Sequence, residues 1–158
     1  MVVLEEQDRS MWVGSELEEG TKLLERALRM RRAGPYQVQA AIAAVHCRAR
    51  TAEETDWDEI VALYGELYRM HPTPVVAINR AVAVAMAETP AAGLRLMDDP
   101  ELRSALDEYR WYHTARADLL RRAGQGLEAA VAYRRALDLT TSEVEQKYLQ
   151  RRLREVQP

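Results

Sequence analysis

Apolar residues along this chain recur at three- and four-residue intervals, and short polar breaks divide that rhythm into single-helix lengths. The pattern is sharpest near the end. There Ala117, Leu120, Gly124, Ala129, Tyr133 and Ala136 alternate small and large residues on either side of Ala123-Gly124-Gln125-Gly126. Small residues at such intervals predict two antiparallel helices crossing so closely that only alanine or glycine fits at the contact. No segment alternates with period two over the length of a strand, so the chain is expected to be all-α.

Turn residues place the boundaries. A polar lead-in over residues 5–10, with Trp12 anchoring a short turn, precedes a helix over 15–32 with Leu17, Leu23, Leu24, Ala27 and Leu28 as its stripe. Gly34-Pro35 ends it and opens the next, 36–48, because glycine suits a C-terminal cap and proline a first turn. After a polar loop over 49–55, Asp56 with Glu59 resembles a capping box and launches a helix to Met70. Thr73-Pro74 starts 75–87, apolar almost all round apart from Asn79-Arg80 and therefore expected between neighbours. Thr89-Pro90 opens a short helix to Met97, Asp98-Asp99-Pro100 leads into a brief turn at 101–106, and helices follow over 109–123 and 127–139. Ser142 with Glu145 forms a Ser-x-x-Glu capping box for a last helix to Val156, whose mixed charge suits a terminal cap.

The 117–136 spacing matches the tetratricopeptide repeat, a helix-turn-helix unit of about 34 residues. Ile60, Tyr64, Leu67 and Pro72 have the spacing of a repeat's second helix and its terminal proline. Gly20, Leu24 and Ala27 fit an earlier copy more loosely, and the pair over 74–97 is degenerate. The expected architecture is a right-handed superhelical array of antiparallel helix hairpins, with about three to four divergent repeats. It occupies residues 15–158 behind a lead-in segment, 1–14.

Composition narrows the chemistry. The net charge of −3 gives no bulk attraction to nucleic acid, and arginine exceeds lysine 20 to 2 in a scattered pattern interleaved with acids. Cys47 is the only cysteine, so there is no internal disulfide, and its place in an apolar run predicts a small buried hydrophobe. No signal peptide or membrane span is legible, which makes the cytoplasm the expected compartment. His46, His71 and His113 lack partners at ligand spacing, and the paired acids fall in polar contexts, so no metal, cofactor or catalytic residue is expected.

The polar residues on the first helix of each hairpin carry more. Gln39, Asn79, Arg80, His113 and Arg116 fall where such a fold lines its concave groove, and Asn and Arg donors there suit a peptide backbone or a carboxylate. The competing reading is that they satisfy helix ends and loops within the domain. Lysine is absent from the set, which does not favour a lysine-rich carboxylate clamp. A rival from another class is a small-molecule sensor, with an aromatic-lined pocket near Tyr36, Trp57, Trp111 and Tyr112.

Longer strings add a resemblance. Leu4-Glu5-Glu6-Gln7-Asp8-Arg9-Ser10 with Trp12, Gly34 through His46, Thr55-Asp56-Trp57, Pro72 through Val84, His113 through Arg122 and Tyr148 through Leu153 occur in order along the chain. Together they resemble the C-terminal tetratricopeptide-like extension of a group of bacterial extracytoplasmic-function sigma factors. The resemblance implies a regulatory domain that controls transcription initiation by contacting RNA polymerase, the sigma domains or a partner protein. Asp8, Arg9 and Trp12 become candidates for docking the lead-in segment. The DNA-reading sigma domains of that family are absent from this sequence. The chain itself is therefore expected not to bind promoter DNA, although a full-length protein would, and it is expected to be monomeric.

Overall fold

The computed structural model describes residues 8–9, 12–29 and 34–156, except the side chains of 28 and 29. The side chain of the expected stripe residue Leu28, the residues 30–32 of the first helix and most of the lead-in motif lie outside what is described. Among those described there are nine helices and no strand. They are α1 (Gly14–Arg29), α2 (Pro35–Arg48), α3 (Trp57–Met70), α4 (Pro74–Ala87), α5 (Pro90–Met97), α6 (Pro100–Ala105), α7 (Arg110–Arg122), α8 (Gly126–Asp138) and α9 (Glu143–Val156). The protein is all-α, and 100–105, read from sequence as a turn, forms a short helix.

The chain divides into two compact units, Val2–Val76 and Ala77–Pro158. In the first, α1 packs on α2 and α2 on α3. Val38, Ile42 and Val45 from α2 meet the core alongside Ile60 and Leu67 of α3, all buried. Local bonds close both helix starts, at Asp56 as the sequence predicts and at Gly34 through a side chain not singled out from sequence. Gln37 Oε1 accepts from the Gly34 backbone N–H at 3.0 Å, and Asp56 Oδ1 accepts from that of Glu59 at 2.9 Å.

In the second unit α7 packs against α5 and α8, and α8 against α9. Ala117, Ala129, Tyr133 and Ala136 are completely buried, so the small residues stand where α7 and α8 approach. Gly124 takes a positive φ of 77° just past the end of α7. The Gln125 N–H bonds Leu120 O at 2.9 Å and the Gly124 N–H bonds Arg121 O at 3.1 Å, the paired bonds of a Schellman closure. Gly93 lets α5 lie on α4, because a Cβ there would stand 2.5 Å from both Ala81 O and Ala85 Cβ. At α9 the expected capping box is not the use made of Glu145. Its oxygens are taken by Arg110 at 2.9 Å and by the Thr140 hydroxyl at 2.6 Å, a stronger pairing for a carboxylate than one backbone N–H.

A candidate partner-binding groove

A concavity in the second unit lies along α7, bordered by α6 and α8, with a volume of about 450 Å³. Its floor is Tyr112, Leu120 and Ala132, and its polar lining includes Arg103, His113 and Arg116. A second hollow of about 290 Å³ lies between α5 and α7, with Leu94, Arg95 and Asp98 on its α5 side. Arg116, Leu120 and Glu128 line both, so the two hollows adjoin along α7.

Ion pairs fix its rim. Arg135 bridges Asp107 at 3.2 Å and Glu108 at 2.5 Å, which ties α8 to the loop before α7. The Tyr112 hydroxyl donates to Met97 O at 3.0 Å, and burial raises its pKa, so it stays a neutral donor. His113 Nε2 sits 2.7 Å from Asp107 O, and its ring stands edge-on to Tyr112. Arg116 Nη1 is 2.8 Å from Asp98 Oδ1. That nitrogen is buried, yet it directs no well-aligned hydrogen bond at any partner among the described residues.

Two of the residues singled out from sequence, His113 and Arg116, thus line the same groove. Asn79 is exposed on α4. Arg80, half-buried beside it, has a buried Nε without a hydrogen-bond partner among the described residues, so nothing there bears out internal pairing of that group. Gln39 is exposed on α2 of the first unit. Sequence reasoning missed Arg95, Arg103, Glu128 and Val131. Val131 is 64% exposed and Leu127 74%, one helical turn apart on α8. The visible signal was that both stand off the Ala129-Tyr133-Ala136 stripe, where a purely structural helix would place polar residues.

The lead-in residues are engaged inside the first unit. Arg9 Nη1 donates to the backbone oxygens of His46 at 3.0 Å, Ala49 at 2.8 Å and Thr51 at 3.0 Å, while Nη2 reaches the Thr55 hydroxyl at 3.4 Å. A cation on the last carbonyls of α2 satisfies acceptors that the helix leaves open and meets the negative end of its dipole. The same guanidinium lies 5.3 Å from the centre of the half-buried Trp12 ring. Asp8 is exposed. Cys47 is half-buried rather than buried and lines a hollow of about 340 Å³ with Trp12 and Leu17.

Each of the four aromatics considered for a ligand pocket has a local setting. Tyr36 is 80% exposed, Trp57 meets the His46 ring edge-on, Arg110 covers Trp111, and Tyr112 bonds Met97. Among the described residues no group of three His, Cys, Asp or Glu side chains could hold a metal ion. No described helix is long and apolar enough to cross a membrane.

Among known proteins, the chain is similar to an uncharacterized protein of Rhizobium meliloti (strain 1021), 44% identical over 153 residues. The match takes in 97% of this chain but 36% of that protein, so the chain spans about a third of the length of the relative it matches. No family model matches the chain. No solved structure matches it.

Proposed function

We propose that the chain is a regulatory protein-interaction domain of an extracytoplasmic-function sigma factor, built as a tetratricopeptide-like hairpin array and working in the cytoplasm. Its task in this reading is to hold RNA polymerase, the sigma domains or a regulatory protein, without catalysis of its own. The observation that carries the reading is the groove along α7. It joins an apolar floor, the exposed Val131 and the sequence-selected His113 and Arg116, the mixture of apolar anchor and charged donor that protein recognition uses. The ordered strings around Arg9, Asn79-Arg80 and His113 support the sigma-factor assignment. A relative that extends well beyond the matched stretch is in keeping with a domain of a longer protein.

The test is transcription from a promoter recognised by the full-length parent protein. Replacing Asn79, Arg80 and Arg116 together by alanine is expected to change promoter output roughly tenfold while the isolated chain keeps its helical circular dichroism. Deleting residues 15–158 from the parent is expected to do the same. Unchanged output in the deletion would remove the regulatory reading altogether.

A further inference from the structure

We propose that the groove along α7 receives an acidic amphipathic helix of a partner protein, its apolar face on Leu120, Val131 and Ala132 and its carboxylates directed at the cluster of Arg95, Arg103 and Arg116. The proposal rests on the reading of the chain as a protein-interaction domain and names the chemistry of its partner.

Charge selects an acidic occupant. Asp98 is paired with Arg116 and Asp107 with Arg135, so those two groove acids are neutralised within the unit. Arg95 and Arg103 are exposed and make no ion pair among the described residues, against Glu128 as the unpaired acid of the lining. Arg116 lines both hollows and adds positive charge between them, its buried Nη1 held 2.8 Å from Asp98. The exposed Arg95 and Arg103 are the cations an incoming carboxylate can reach, and a charge-assisted bond to either fixes the partner's register.

The backbone selects a helix. An extended peptide needs partners for its own N–H and C=O groups. The described residues offer no strand edge, and the lining contains a single side-chain amide, Gln125. A helix satisfies its backbone internally and presents apolar residues at three- and four-residue steps. Leu127 and Val131 form an exposed ridge one turn long on α8 against which such a stripe can seat.

The experiment displays random peptides about four helical turns long against the 158-residue chain, then titrates synthesised winners by fluorescence anisotropy. Enriched peptides are expected to be net negative, with apolar residues at helical spacing, and to bind more weakly as salt rises from about 0.05 to 0.3 M. Val131→Glu and Arg95→Glu change exposed side chains and leave the fold intact, and each is expected to weaken binding roughly tenfold, as is Arg116→Gln. Basic or unpatterned winners, no winners, or winners indifferent to all three substitutions each overturn the groove proposal. A groove that fails while the parent deletion still alters transcription leaves the regulatory reading standing. Failure of both readouts removes the two together.

Discussion

Arg9 shows how one side chain can close a helix. Its guanidinium meets three backbone oxygens and one hydroxyl where α2 ends, a junction otherwise rich in open acceptors. Arg9→Ala is expected to destabilise the chain by about 2 kcal/mol in urea unfolding. Arg9→Lys should recover less than half of that, because an ammonium cannot span the same set. The neighbouring His46 adds a pH dependence. Burial, and then the charge of Arg9, hold its ring below the ordinary 6.5. As pH falls through that value the unfolded chain takes up a proton that the folded state refuses, so stability is full above it and declines below. Melting temperature is therefore expected to drop between about pH 7.5 and 5.5, and His46→Gln to flatten that slope. The relief of Glu145, which Thr140 and then Arg110 hold below 4.5, is lost only in stronger acid and is separable from it. Asp8, Arg9 and Trp12 were legible as a motif, but the targets of Arg9 were not. Three of its four acceptors are main-chain oxygens, which no residue letter announces.

The helices follow their punctuation. Pro35, Pro74, Pro90 and Pro100 each open one, and Thr89 and Asp99 cap the two short ones at 3.2 and 2.9 Å. Such signals act within one turn, which is why most boundaries could be read to within a residue or two. Gly93 was different, since its reason lies across the packing of α5 on α4 and in no local pattern. Gly93→Val is expected to cost about 3 kcal/mol, whereas Gly65→Ala, with open space around it, should be neutral or stabilising. Parallel urea titrations of the two variants check the contrast. The α7–α8 crossing was legible because Ala117, Ala129 and Ala136 record its closeness in their size. The groove beside it was only half legible. Arg116 advertised a charge within a helix, while Arg95, Arg103 and Val131 acquire meaning only when three helices stand side by side.

Among the described residues of the whole molecule, several arginines are committed to acids. Arg48 pairs with Glu59, Arg69 with Glu66, Arg110 with Glu145 and Arg152 with Glu155. With a net charge of −3, the chain has little to offer phosphate. It is expected to leave duplex DNA unshifted in a gel at about 0.1 M salt, and a retarded band would contradict that balance. All-α character was plain from periodicity, yet the division after Val76 was not, because it falls within α4, where the sequence carries no turn residue to mark it. The Arg9 contacts also bear on how such a chain can diverge. Every amino acid carries a carbonyl, so the stretch from 49 to 54 can change its letters over generations while still receiving the same guanidinium. Position 9 has no such freedom, and two descendants with dissimilar loops could remain joined there in the same way.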